Sequence, residues 1–245
     1  MTETVLLTLL IFTAALLYAS VGHGGASGYL AAMALFNLAP EVMKPTALVL
    51  NLFVAGVGTI RYAQAGCFSW NTFWPFAVLS IPFAFLGGMW TLPVATYKII
   101  LGLVLLFAAW RLAIRQSAHA PATQKPIVLP AALALGAAIG LLSGLTGVGG
   151  GIFLSPLLLL LGWADMRKTA GVSAAFILVN SAAGLLGHWE GVKSLPSEII
   201  WWAPAALIGG VLGAELGSHR LTPLTMRRML AAVLVVAGLK MLLAR

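Results

Sequence analysis

Charged side chains are scarce in this chain of 245 residues. They make up 8% of the sequence, whereas a soluble globular domain carries about 25%. Hydrophobic residues make up 61%, and the mean hydropathy is +1.02. A surface facing water cannot be built from so few charges, so lipid must surround most of the chain. Apolar runs such as residues 99–109 and 230–239 lack the alternation of barrel strands. The sequence therefore predicts an all-α polytopic membrane protein.

Cysteine and acidic residues are also few, which excludes several kinds of site. The single cysteine, Cys67, can form neither an intramolecular disulfide nor a cysteine-based metal cluster, and we predict no metal and no cofactor. Fourteen Lys and Arg against six Asp and Glu give a net charge of +8. In a soluble protein this excess would suggest nucleic-acid binding. Here the basic residues stand at the ends of apolar runs, where they face lipid headgroups and set topology.

The two halves of the chain repeat the same motifs in the same order. Residues 22–26, with the sequence GHGGA, correspond to residues 147–151, with the sequence GVGGG. Each cluster precedes a short apolar stretch and a basic loop, and residues 82–88 correspond in the same way to residues 204–210. An internal repeat of this kind indicates a duplicated unit. The predicted organisation is a first membrane repeat at 1–114, a polar linker at 115–126 and a second membrane repeat at 127–245.

Each half contains five apolar segments, and the second segment of each is short. About 13 residues at a rise of about 1.5 Å span roughly 20 Å, less than the roughly 30 Å of the hydrocarbon core. Each short segment is either a re-entrant half-helix or the deeper part of a broken helix. The first case gives four crossings per half and parallel halves; the second gives five crossings and inverted repeats, which we expect. The predicted segments are 4–21, 26–39, 44–62, 73–91 and 95–113, then 127–146, 150–162, 168–187, 198–217 and 225–243.

The two glycine clusters are the predicted anion-binding site. A glycine-rich break leaves backbone N–H groups free at the start of the next helix, where the helix dipole is positive. Matched breaks in two inverted halves point to the binding site of a transporter, near the middle of the membrane. The alternative is close helix packing by small residues. The predicted contacts from the clusters are Gly22, His23, Gly24, Gly25, Ser27, Gly147, Gly149, Gly150 and Gly151.

Polar residues inside the predicted spans complete the candidate site. Such residues either join helices by hydrogen bonds or line a pathway, and we assign Asn51, Ser173 and Asn180 to the pathway. His23 and Glu215 are the two candidates for proton coupling. The alternative for His23 is a hydrogen bond to a neighbouring carbonyl, and the alternative for Glu215 is a position at the membrane edge.

The order of glycine break, short helix, basic loop and polar helix ending in His188-Trp-Glu-Gly191 resembles the sulfite exporter TauE/SafE family of bacterial membrane transporters. The resemblance covers nearly the whole chain, and residues 144–159, GLTGVGGGIFLSPLLL, are its most typical part. The first half departs from the pattern because His23 and Ala26 interrupt its glycines. The resemblance implies a multi-pass protein of the bacterial inner membrane that transports sulfite, sulfoacetate or related organosulfonates, usually outward. The residues themselves favour an anion and say nothing about sulfur.

Three other functions remain open from the residues. A passive anion channel would use the same helix-end sites but would lack saturable, trans-stimulated exchange. A membrane-embedded enzyme would need a nucleophile, a metal triad or paired carboxylates, and the sequence contains no HExxH or GxSxG motif. A scaffold would not need matched helix breaks. The expected partners are a small anion, a proton as coupling ion and membrane lipid, without nucleic acid; a homo-oligomer is compatible with the sequence.

Overall fold

A computed structural model describes residues 2–36, 38–90 and 125–243, together with residues 106, 109 and 110. This part of the chain contains helices and no strand, which confirms the predicted all-α class. The helices of the first half are α1 (Thr2–Ala19), α2 (Ala26–Leu35), α3 (Pro40–Gln64) and α4 (Trp70–Met89). Those of the second half are α5 (Leu129–Thr146), α6 (Gly151–Leu161), α7 (Met166–Gly187), α8 (Trp189–Val192), α9 (Ile199–Glu215) and α10 (Pro223–Leu243), with a π-helical turn (Leu216–Arg220) continuing α9.

Six of the described helices are long and apolar enough to cross a membrane. They are α1, α3, α4, α5, α7, and α9 with its π-helical turn. Their exposed positions carry large apolar side chains, such as Leu9, Val78 and Ile208, each more than half exposed. Apolar side chains on the outside are stable only against lipid, so these helices form a membrane domain. Most of the predicted segment 95–113 and most of the predicted linker 115–126 lie outside the described residues.

The short second segment of each half is confirmed. Helix α2 has 10 residues and α6 has 11, which corresponds to about 15 Å each. Each is shorter than predicted at its C-terminal end. Helix α6 stops at Gly162, which adopts a left-handed φ of +72° and donates its N–H to the Leu159 carbonyl. A glycine in this conformation is a common helix terminator.

Helices α1 and α9 belong to different halves and run in the same direction. A Cβ placed on Gly209 would lie against the Phe12 carbonyl oxygen, and one on Gly217 would overlap the Ser20 carbonyl oxygen. Residue numbers therefore rise together along the two helices. Helix α3 also runs parallel to α9. Gly210 of α9 contacts Val54 near the middle of α3, and the π-helical turn contacts Tyr62 near the end of α3. Small residues make this close backbone approach possible.

Helices α4 and α5 form the corresponding pair. A Cβ on Gly136 would overlap the Phe76 carbonyl oxygen, and one on Gly144 would overlap the Ala84 carbonyl oxygen. These helices are therefore also parallel to each other. The first predicted segment of each half thus packs along the fourth predicted segment of the other half.

The central helices α3 and α7 run in opposite directions. Gly58 faces Ala174, whereas Asn51, earlier in α3, donates to Ser181, later in α7. Helix α4 returns antiparallel to α3 after the short connection at residues 65–69. Helices α1 and α3 of the first half then oppose α5 and α7 of the second half. The inverted repeat itself stays a prediction.

Candidate functional site

Both glycine breaks contain backbone in the left-handed region, where glycine is favoured. The φ angle is +78° at Gly22 and +97° at Gly25, and it is +74°, +83° and +81° at Gly147, Gly149 and Gly150. A side chain with a Cβ is strained in this conformation. The glycines therefore let the chain reverse before each short helix begins. Gly150 immediately precedes α6 without a side-chain cap, so the first N–H groups of α6 have no acceptor within the helix.

The two breaks meet in the interior of the protein around a small cavity. Its volume is about 10 Å³, which is room for about one water molecule. Residues 23–27 of the first break line it together with Val148, Ile152 and Ile177 from the second half and with Tyr18. No Asp, Glu, Lys or Arg is among these described lining residues. The N-termini of α2 and α6 therefore approach the same uncharged space.

His23 connects the first break to the second half. Its imidazole is 3% exposed, and its Nδ1 lies 3.2 Å from the Val21 carbonyl oxygen. Its Nε2 lies 3.3 Å from the Ser155 Oγ in α6, and that hydroxyl lies 2.7 Å from the Ser173 Oγ in α7. The structure thus joins two predicted site residues, His23 and Ser173, through Ser155. Sequence reasoning missed Ser155, although it is the one hydroxyl-bearing residue in the α6 sequence.

Asn51 lies between the two breaks. Its Nδ2 donates to the Val148 carbonyl oxygen at 3.4 Å and to the Ser181 Oγ at 3.2 Å. A Cβ on Gly24 would overlap the Asn51 Oδ1, and one on Gly149 would lie 2.8 Å from the Asn51 Nδ2. The side chain is fully buried. Asn51 therefore touches both glycine motifs from the middle of α3. Its partner Ser181 was not among the residues that we assigned to the pathway.

Two tyrosines that flank the first glycine motif hold its polar groups. The Ser27 Oγ donates to the Tyr18 hydroxyl at 2.9 Å, and the Tyr29 hydroxyl donates to the Gly24 carbonyl at 2.6 Å. Both tyrosine side chains are buried. They were missed in the sequence because an aromatic residue near a membrane helix end is usually an interfacial anchor. Their positions directly before and after the glycine motif were the available signal.

A model of the family described as sulfite exporter TauE/SafE matches residues 7–241 of the chain. The protein belongs to the TauE/SafE family. A "probable membrane transporter protein" of Sinorhizobium fredii is 43% identical over 244 residues, covering 98% of this chain and 99% of that protein. A "probable membrane transporter protein" of Methanocaldococcus jannaschii is 27% identical over 210 residues, covering 79% of this chain and 77% of that protein. No solved structure matches. The chain is a membrane transporter.

Several predicted residues of this TauE/SafE protein lie beside the cavity without lining it. Gly22 packs against the backbone of Ala170 and Gly147 against the side chain of Lys44. The Asn180 Nδ2 donates to the Phe176 carbonyl oxygen one turn earlier at 2.8 Å. Gly149, Gly150 and Gly151 of the second break are also absent from the cavity lining; Gly149 and Gly151 pack against Ile177, and Gly150 packs against Phe176.

Glu215 lies away from the cavity at the end of α9. Its Oε2 is 3.7 Å from the Arg61 Nη1, and its Oε1 is 3.5 Å from the His219 Nδ1. Its side chain is 43% exposed. Glu215 therefore lies at an exposed helix end, which fits the alternative of a position at the membrane edge better than a place in the cavity.

Lys44 is a cation that sequence reasoning left outside the site of the TauE/SafE protein. Its side chain packs on Gly147, and its Nζ donates to the Gly88 carbonyl oxygen at 3.4 Å. His188 lies nearby, after the end of α7. Partial burial, and next the positive charge of Lys44, lower the pKa of His188. The second break therefore has a lysine beside it, whereas the corresponding contact of Gly22 is with Ala170.

Proposed function

We propose that this transporter moves a small oxyanion, either sulfite or an organosulfonate such as sulfoacetate, across the bacterial inner membrane by alternating access. The anion binds between the N-termini of α2 and α6. The observation that carries the proposal is the meeting of two glycine breaks at one buried cavity without an acidic side chain. The choice of sulfur oxyanions rests on the description of the family, sulfite exporter.

The polarity of the cavity favours an anion. Each helix N-terminus acts as roughly half a positive charge because its first N–H groups lack acceptors. The hydroxyl of Tyr18, which accepts a hydrogen bond from Ser27, can itself donate one to an oxyanion. Cations would find no carboxylate among the described lining residues.

The size of the cavity favours a carrier over a passive channel. About 10 Å³ holds about one water molecule, and a sulfur oxyanion is larger. The two breaks must therefore separate before the anion binds. Helix α1 of the first half packs on α9 of the second, and α4 of the first half packs on α5 of the second. These two helix groups can move against each other around the cavity.

Purified protein in liposomes tests the proposal directly. We expect saturable uptake of labelled sulfite or sulfoacetate that is stimulated by the same anion on the opposite side. Sulfate and chloride serve as comparison anions, and each is measured with and without a pH gradient. Flux that does not saturate and is not trans-stimulated would indicate a passive channel. Absence of flux for every anion in both orientations would contradict the proposal.

His23 rather than Glu215 is the group that we propose for proton coupling, because only His23 lines the cavity. We expect His23→Gln to abolish the response of the flux to a pH gradient, since glutamine keeps hydrogen-bonding atoms but does not titrate. Glu215→Gln is the matched control, and it should retain the response. It should also change stability by less than about 1 kcal/mol, because its ion pair is exposed. Loss of the pH response in Glu215→Gln alone would reverse the assignment.

A further inference from the structure

The orientation of the Asn51 amide is fixed by its neighbours. The Val148 carbonyl, 3.4 Å away, can only accept a hydrogen bond, so the Asn51 nitrogen must face it. The same nitrogen donates to the Ser181 hydroxyl at 3.2 Å. The Asn51 Oδ1 is therefore turned away from the second break and toward Gly24 of the first.

The Asn51 Oδ1 has no hydrogen-bond partner among the described residues, although the side chain is 0% exposed. A buried acceptor without a donor costs free energy comparable to a lost hydrogen bond. A role in joining helices accounts for the hydrogen bonds of the Asn51 Nδ2, but it does not account for a buried Oδ1 without a donor. The oxygen adjoins Gly24, which lines the cavity. The Asn51 Oδ1 is therefore a hydrogen-bond acceptor without a donor, and it lies next to a cavity whose helix N-termini favour an anion.

The charge available in the cavity matches a single negative charge. The two helix N-termini contribute roughly half an elementary charge each, and the described lining residues add no permanent cation. Lys44 packs beside Gly147, but its Nζ donates to the Gly88 carbonyl oxygen and the residue does not line the cavity. The cost of removing an ion from water rises with the square of its charge, so a dianion would lose far more hydration than this site can replace.

We propose that the bound species is a monovalent oxyanion that retains one acidic hydrogen, and that Asn51 Oδ1 accepts this hydrogen. The inference rests on the proposed function and narrows its substrate class. Hydrogensulfite has the required charge and hydrogen, whereas the sulfite dianion and fully ionised sulfoacetate do not. The helix N-termini bind the charged oxygens of the anion. The Asn51 Oδ1 accepts the hydrogen of the protonated oxygen.

The first test uses wild-type protein in liposomes with equal pH on both sides and sulfite exchange across the membrane. As pH rises through the second ionisation of sulfite, the apparent KM for total sulfite should rise in inverse proportion to the hydrogensulfite fraction. This amounts to about tenfold per pH unit above that ionisation, because each unit removes about nine-tenths of the remaining monoanion. An apparent KM that is constant in total sulfite, or that falls, would overturn the proposal.

Titration of the protein is separated from titration of the substrate by His23→Gln. The titratable side chains that face the cavity and the breaks are Tyr18, His23, Tyr29 and Lys44. Histidine ordinarily titrates near neutral pH, and Lys44 is a cation packed beside the second break, so both are replaced, by His23→Gln and by Lys44→Met. The dependence of KM on pH should persist in each variant. Its disappearance in either variant would assign the effect to that side chain and overturn the proposal.

The second test compares Asn51→Leu with Ser181→Ala. Leucine has a similar volume and removes the acceptor, and we expect the apparent KM for hydrogensulfite to rise on the order of tenfold. Ser181→Ala removes a partner of the Asn51 nitrogen but keeps the acceptor, and its KM should stay within about threefold. Equal effects of the two substitutions would overturn the role of the oxygen.

The two proposals fail in different ways. If no sulfur oxyanion crosses in wild-type protein, the proposed function is wrong, and this inference falls with it. If sulfite crosses the membrane but its flux follows the concentration of the dianion or of total sulfite, the proposed transport function stands. Only the assignment of the monoanion as the bound species is then rejected. The wild-type pH series needs no variant, so misfolding of Asn51→Leu would still leave a decisive measurement.

Discussion

Replacing Gly149 with alanine is expected to lower anion flux at least about a hundredfold while leaving the protein inserted in the membrane. Gly149 has a φ of +83°, where alanine costs about 1–2 kcal/mol. Its Cβ would also lie 2.7 Å from the Ile177 Cγ2, 2.8 Å from the Asn51 Nδ2 and 2.9 Å from the Ser181 Oγ. The second break would have to move away from Asn51. Because the helix N-terminus and the acceptor must converge on one anion, a displaced break removes the site.

Gly66→Ala is the matched control for this substitution. Gly66 has a similar φ of +71°, but a Cβ there meets nothing within 4 Å. Gly66→Ala therefore has the same backbone strain as Gly149→Ala but none of its close contacts with neighbouring side chains. Flux in liposomes, normalised to inserted protein, should therefore stay near the wild-type value in Gly66→Ala. Normal flux in Gly149→Ala would refute the site, and an equal loss in both variants would attribute the effect to strain alone.

Replacing Gly144 with alanine should destabilise the membrane domain by about 3 kcal/mol. A Cβ at Gly144 would overlap the Ala84 carbonyl oxygen and lie 2.7 Å from the Gly88 nitrogen. These are backbone atoms of α4, which cannot rotate aside as a flexible side chain can. Helices α4 and α5 would have to separate, and the packing between the halves would be lost along with them. Thermal unfolding in detergent should show a lower Tm and a smaller monodisperse fraction.

Gly56→Ala in α3 is the comparison for stability. Its Cβ would meet only the Leu178 Cδ1, at 3.9 Å, which is ordinary van der Waals contact. Alanine is favoured over glycine in a helix by up to about 1 kcal/mol, so this variant should be neutral or more stable. The two substitutions are chemically identical, but only Gly144→Ala is expected to lower Tm. An unchanged Tm in Gly144→Ala would mean that α4 and α5 do not pack through this glycine.

The helix breaks could be predicted from the sequence because their cause is local. A run of glycines that includes Gly149 and Gly150 permits left-handed backbone wherever it occurs, and the structure has that backbone at both positions. The shortness of α2 and α6 followed from the same signals. The C-terminal end of α2 was placed four residues too late because a continuing apolar composition does not reveal where a helix stops.

The side-chain partners in the site were only partly predictable. His23, Ser27, Asn51 and Ser173 stood out as polar residues in apolar surroundings, and all four are buried around the two breaks. Ser155, by contrast, matters because it lies between His23 and Ser173 in space. A single hydroxyl in an apolar helix has many structural uses, and its sequence does not say which helix it faces.

Composition, apolar segment length and glycine spacing alone determined that this protein is a helical membrane protein with a short second segment in each half. These are properties of each segment against lipid or of its own backbone, and they need no knowledge of neighbours. The tertiary structure decided that α1 packs on α9 and α4 on α5, and that Asn51 reaches both breaks. In lipid, apolar surfaces gain little by choosing one apolar partner over another. Helix pairing is then set by the fit of small residues against a particular backbone, which only the folded arrangement defines.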